Sequence, residues 1–308
     1  MAIAEIEPVA RVQRDVTPPA TISPGPKRRW QLVKRAALPT YFTATWPLRL
    51  GYLPWLSIRG QAPVVIVALH RVADDRATPW TTPTDVFRRG VAWLERRFEL
   101  VSLAEAQRRV NAAENRVPTV SITFDDGYFD NCEVALPLLI DRGIPLTYFV
   151  TSDAVLRGAC FQHDLMLGQQ SRPNTLQQIR ELADAGVEIG AHTRTHADLG
   201  SIHQNERLYD EVVVARDELQ DAIGCRIRYF AFPFGQHANL NRQVFQMAAD
   251  AGFEAVVSAY GGYNFPGGDA FHLQRPCVDG SLARLKNWAL IDPWRLWTIS
   301  RYAYGDLP

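Results

Sequence analysis

Two short segments of this 308-residue chain carry residues whose types and spacing suit hydrolytic chemistry. In VSITFDDGYFDN, a strand-like apolar run ending at Phe124 breaks at Asp125, Asp126 and Gly127. Two adjacent carboxylates repel if both ionise in one pocket, and the strain eases when a cation takes one and a hydrogen-bond donor holds the other. The pair therefore reads as one metal ligand and one base, with a solvated Asp-Asp-Gly turn as the plain alternative. In VEIGAHTRTHADLG, His192 and His196 stand four apart. On a helical turn that spacing puts two imidazoles on one face, about 5–6 Å apart at Cβ, where they can grip one metal. Each segment alone is weak. Together they offer one carboxylate and two imidazoles, three protein ligands that leave positions open for water and substrate, as catalytic zinc sites do. A third segment, RYFAFPFGQ, sets Phe232, Pro233, Phe234 and Gly235 after another strand-like run, an apolar wall with backbone free to approach a ligand.

The elements that must position these residues follow from periodicity. Apolar runs at 64–69, 117–124, 146–150, 187–190, 229–232 and 255–258 read as strands. Between them, 86–97, 103–112, 134–142, 175–185, 206–222 and 242–251 carry the three-and-four spacing of amphipathic helices. Such alternation predicts a parallel sheet or β/α barrel, whose active sites gather at the C-terminal ends of the strands. Upstream, Pro39, Pro47 and Pro54 are expected to rule out one long helix.

Composition narrows the partners. The chain holds 33 basic and 33 acidic residues, so it has no global field to gather nucleic acid, and none is expected as a partner. The asymmetry is local. From Val16 to Ala73 there is no Asp or Glu but eight Lys or Arg, interleaved with Trp30, Tyr41, Phe42, Trp46, Tyr52 and Trp55. Basic and aromatic residues so mixed settle at a lipid headgroup boundary, or else pack a short helical pair onto the domain. The C-terminal tail repeats the composition with Trp288, Trp294, Trp297, Arg284, Lys286, Arg295 and Arg301, so both ends could form one membrane-facing patch. Four scattered cysteines and a start without a secretory signal pattern predict a cytoplasmic chain with reduced thiols, associated with the inner face of the membrane if that patch binds. No apolar run approaches the roughly 20 residues of a spanning helix.

TFDDG at 123–127, HTRTH at 192–196 and FAFPFG at 230–235 closely resemble, in order and spacing, three motifs of the NodB-homology polysaccharide deacetylases, carbohydrate esterase family four. The likeness runs over roughly residues 62–280 and implies a distorted, incomplete (β/α) barrel. It implies that Asp125 is the general base and that Asp126, His192 and His196 hold a divalent metal, zinc first, with cobalt or nickel as alternatives. The substrate it implies is an N-acetylated glycan, such as an exopolysaccharide. Two family features are missing: Ala231 stands where an arginine usually braces the base, and no terminal Leu-x-x-His supplies the proton for the leaving amine. Arg275, in HLQRPCV, is similar to the late arginine of relatives with this Phe-Pro form. VVIVALHRVAD resembles the His-Arg-Val opening of biofilm-type deacetylases, which makes His70 the candidate general acid. Tyr128 is assigned to the sugar pocket and Asp130 to structure. His163 and Asp164, in a stretch similar to a Phe-Trp-x-Asp motif of related deacetylases, are placed at the cleft mouth.

The resulting division is a flexible leader at 1–27, a basic aromatic segment at 28–61, a catalytic domain at 62–280 and a Trp-rich tail at 281–308. Two rival readings keep the same scaffold: a glycan-binding protein without catalysis, and a deformylase or deacetylase of a lipid-linked amino sugar.

Overall fold

The expected apolar runs form most of the longer strands among β1 (Val64–Leu69), β2 (Arg71–Val72), β3 (Thr81–Thr82), β4 (Glu99–Leu100), β5 (Thr119–Phe124), β6 (Leu146–Val150), β7 (Glu188–Ala191), β8 (Tyr229–Ala231), β9 (Ala255–Ser258) and β10 (His272–Gln274). The computed structural model describes residues 26–298; the ranges 1–25 and 299–308, which hold most of the expected leader and the end of the tail, lie outside it. The main sheet is parallel throughout, in the order β1-β5-β6-β7-β8-β9-β10, with β4 beside β5. Beyond β10, Cys277 bridges to Ala68 of β1, which nearly closes the sheet into a barrel.

Burial on both faces explains why β1 reads as a continuous apolar run and β6 nearly so, while β5 alternates in sequence but buries its Thr119, Ser121 and Thr123 as fully as its apolar residues. Val65, Val67, Leu69, Val120, Ile122 and Phe124 join the cluster under the surrounding helices. Val64, Ile66, Phe149, Tyr229, Val257 and Leu273 form a second cluster, closed by Leu103, Ala106 and Val110 of the helix Leu103–Asn111. Register then sets the upper edge. Leu69 pairs with Phe124 and Val150 with Ala191, so His70, Asp125, Thr151 and His192 all emerge at one end of the sheet.

Two expectations about helices are corrected. Pro26–Ile58 is one helix, with Pro39, Pro47 and Pro54 inside it. All three prolines are on the exposed side, where water can take the carbonyls they leave without donors. The inner side is anchored by tertiary contacts that override local propensity: Phe42, Trp46 and Leu53 pack on the core, and Arg49 donates to the carbonyls of Asn287 and Ile291, each at 2.8 Å. The segment 206–222 is likewise not one uniform helix. A π turn, Asp210–Val214, interrupts it between Asn205–Tyr209 and Ala215–Ile223.

Candidate active site

Each strand end delivers one part of a small polar cluster above the barrel. The Asp125 N–H donates to the Leu69 carbonyl at 2.9 Å, and then the chain turns left-handed through Asp126 (φ 76°) and Gly127 (φ 98°). The turn sends the two neighbouring carboxylates to different partners. Among the described residues, six non-glycine positions have positive φ, and Asp126, Thr193, His196 and Phe234 are four of them. Such backbone costs about 1–3 kcal/mol per residue, so its concentration in these three motifs marks a site whose geometry is held from outside.

Asp125 is gripped by Arg275. The guanidinium forks onto both oxygens, at 2.8 and 2.9 Å, and donates also to Thr123 Oγ1 at 2.8 Å and the Ser258 carbonyl at 3.3 Å. Arg275 is wholly buried, 5.1 Å from the centre of the Phe149 ring. Burial alone would raise the Asp125 pKa, but Arg275, with His192 and His70, holds the carboxyl below its usual range.

Asp126 is turned toward imidazoles instead. Its Oδ1, buried and without a hydrogen-bond partner, lies 3.4 Å from His192 Nε2 and 3.2 Å from His196 Nε2. His192 Nδ1 sits 2.8 Å from the Ala231 carbonyl, which can only accept, so Nδ1 carries a proton and Nε2 is the atom turned toward Asp126. Burial lowers the His196 pKa. It would raise that of Asp126, yet His196, His192 and His163 hold the carboxylate well below its usual range. A carboxylate and two imidazoles, with donor atoms within 4.8 Å of one another, suit a divalent cation. His192 and His196 do not share a helical turn, as their spacing suggested. A loop with left-handed Thr193 and His196 brings their rings to 5.0 Å.

Glu211, in the π turn, braces that loop, and sequence reasoning passed it over. Its carboxylate accepts from the N–H groups of Arg194 and Thr195 and from Thr195 Oγ1, at 3.1, 3.0 and 2.6 Å. A π turn beside a functional loop is a recurrent arrangement.

His70 lies opposite Asp125, at the end of β1. Its Nδ1 is 2.7 Å from Asp279 Oδ2 and its N–H donates to Asp279 Oδ1, while Asn131 Nδ2 donates to its carbonyl at 2.7 Å. Burial opposes protonation, but Asp279 in contact and Asp126 further off hold the His70 pKa well above its ordinary value. Asp279 and Asn131 were also missed. Arg71, the next residue, is wholly buried and forks onto Asp130 with two bonds of 2.8 Å, which gives Asp130 a structural partner.

Two pocket assignments are corrected. Phe232 is 1% exposed and packs against Phe230 and Phe245, because its N–H donates to the Val257 carbonyl and keeps it on the sheet just past β8. Tyr128 is fully enclosed, its ring 4.4 Å from Phe161 and its hydroxyl 2.7 Å from His163 Nε2, so it backs the wall and does not face a ligand. Phe234 carries the exposed surface, 49% accessible, with its ring 4.8 Å from that of His196. Pro233 is buried beneath it. Gly235 is required: a Cβ there would lie 2.5 Å from the Ala259 nitrogen. The Gly235 N–H is spent on the Pro233 carbonyl, whereas no described residue takes the Phe234 N–H. His163 comes within 3.7 Å of Asp126 Oδ2, while Asp164 is buried under Trp80, whose Nε1 donates to it at 3.0 Å.

Comparison with known proteins bears on the fold and the family. Residues 112–256 match the polysaccharide deacetylase family. The chain is 22% identical over 208 residues to YxkH of Bacillus subtilis (strain 168), whose name places it among the polysaccharide deacetylases, a match spanning 66% of this chain and 67% of that protein. Its fold is similar to that of IcaB from Ammonifex degensii, with a TM-score of 0.63 and 24% identity over 75% of this chain and 98% of that one. It is similar also to the Streptococcus pyogenes deacetylase PplD, solved with acetate, with a TM-score of 0.62 and 20% identity over 74% and 99% of the two chains. The single-domain, incomplete barrel expected from the motifs is the fold observed.

Proposed function

We propose, from the match of residues 112–256 to the polysaccharide deacetylase family, that this chain removes N-acetyl groups from an amino-sugar glycan with a divalent metal on Asp126, His192 and His196. One observation carries the reading: two adjacent carboxylates are sent to opposite partners, Asp125 to a buried arginine and Asp126 to the Nε2 atoms of two imidazoles. A base and a ligand need that separation.

When bound, the cation supplies Lewis-acid polarisation of the acetamide carbonyl and acidifies water toward neutrality. Asp125, oriented by Arg275, takes the proton of the attacking water. The Phe234 N–H, free of any described partner, is available to the oxyanion that develops at the carbonyl. His70, held protonated by Asp279, gives its proton to the leaving nitrogen, an assistance worth about 10²–10⁴-fold in such reactions. Acetate and a free amine result. Phe234 offers the exposed apolar face against which a sugar ring can rest.

Zinc is the metal we propose, on the character of an Asp-His-His donor set. The four free cysteines support a reducing, cytoplasmic setting, and the substrate class spans polysaccharides and lipid-linked saccharides met at a membrane face. Acetate release by the zinc-loaded protein, measured on a panel of N-acetylated polymers and lipid-linked N-acetyl sugars, tests the reading. Release from at least one member is expected. A panel silent in zinc, cobalt and nickel alike, with glycan binding intact, would instead identify a binding protein on this scaffold.

A further inference from the structure

We propose that the outer side of the helix Pro26–Ile58 is a docking surface for an anionic phospholipid bilayer. The inference goes beyond the deacetylase reading and does not rest on it. The inner side of this helix is fully used: Phe42, Trp46, Leu53 and Leu56 pack on the core, Arg49 is 3% exposed on the 287–291 turn, and the Tyr41 hydroxyl donates to Asp292 Oδ1 at 2.6 Å. A helix docked in this way ordinarily turns a polar face to water.

This one does not. Between residues 37 and 58 the only charged side chain is Arg49, and it is turned inward, so the outward surface of this stretch has no charge. Leu48, Leu50, Trp55 and Ile58 are 65%, 58%, 48% and 75% exposed. Tyr52 and Trp55 stack with ring centres 5.7 Å apart, and the Arg59 guanidinium lies 5.0 Å over the Trp55 ring.

Charge at the two ends says what covers this face. Lys27, Arg28, Arg29, Lys34 and Arg35 occupy the first turns of the helix and Arg59 follows its last residue, with no acidic residue anywhere from Val16 to Ala73. An apolar strip with Trp and Tyr, flanked by cations and free of anions, is the composition of a helix lying in a headgroup layer, with anionic lipid as the complementary partner. No helix among the described residues is long and apolar enough to cross a membrane, so the face lies on the bilayer. The tail adds less than its composition suggests, because Trp288 is buried against Tyr263, whereas Trp294 is 66% exposed beside Tyr41.

The test is flotation of the full chain with vesicles of phosphatidylcholine alone or mixed with phosphatidylglycerol. The wild type is expected to float with the mixed vesicles and to be released by salt. The exposed double substitution Leu48→Glu with Ile58→Glu is expected to cut the floated fraction about tenfold, since each charge opposes both apolar insertion and the anionic surface. Its circular dichroism should remain wild-type. Wild-type protein that stays unbound at low salt, or variant protein that floats equally well, overturns the proposal. A wild-type dimer that the double substitution dissociates, without flotation, overturns it in favour of a second copy on this face.

Discussion

Replacing Arg275 by Gln should uncouple the candidate base from its support while leaving the barrel folded. In the wild type the guanidinium makes two bonds to Asp125, one to Thr123 and one to the Ser258 carbonyl, entirely out of water. Removing one partner of such a buried pair costs about 3–5 kcal/mol, because the other charge is left uncompensated. For a domain of this size that corresponds to a fall in Tm of about 6–20 °C. The sign of the pH effect follows from the same contact. Arg275 holds the Asp125 pKa below its ordinary value against the pull of burial, so the pair stabilises the fold above that ordinary value, and the contribution is lost as pH falls through the depressed one. Without the arginine, burial is unopposed by its largest counterweight and the carboxyl titrates at higher pH. The acid limb of kcat should therefore move toward neutrality, alongside a loss of about 10²-fold or more from misorientation of the base. Arg275→Lys keeps the charge but not the fork, and should restore part of the pH shift and little of the rate. Stopped acetate-release assays from pH 4 to pH 9, paired with calorimetry, read both effects. An unshifted acid limb together with a wild-type Tm in Arg275→Gln would refute the reasoning.

Further outcomes are expected from the same geometry. Asp279→Asn removes the carboxylate that keeps His70 protonated, so the alkaline limb of kcat should move to lower pH. The stability that the pair contributes is present below the ordinary His pKa and lost as pH rises through the elevated one, so the variant should be most destabilised relative to wild type in mildly acidic solution, as read by denaturant titration. Glu211→Ala strips three donors of their acceptor and should lower metal affinity about 10–100-fold, as loss of outer supports to metal sites does, measured by calorimetric titration of zinc. Gly235→Ala should lower Tm by several degrees, since the added carbon meets the Ala259 backbone and the residue must hold φ 59°.

The parts legible in the sequence are those where a strand period stops abruptly at polar residues. Asp125 and His192 declare themselves in this way, because short buried parallel strands end sharply where the chain turns polar. What stayed hidden depends on partners distant along the chain or on local backbone reversal. Asp279 lies 209 residues from His70 and reads as an ordinary loop aspartate. Glu211 reads as a solvated helix position, and only the π turn draws it under the His192–His196 loop. Phe232 and Phe234 look alike in FPFG, but the sheet buries the first, and the left-handed turn at Phe234 throws the second outward. Prolines read as helix breakers at 39, 47 and 54 lie on the exposed side of a helix fastened by its other face.

Metal content measured beside acetate release in Asp125→Asn, Asp126→Asn and His192→Ala separates a base at one aspartate from a ligand at its neighbour. Asp125→Asn is expected to retain wild-type metal and lose turnover, whereas Asp126→Asn and His192→Ala should lose both. Equal metal loss in Asp125→Asn and Asp126→Asn, or full metal retention in His192→Ala, would contradict that division.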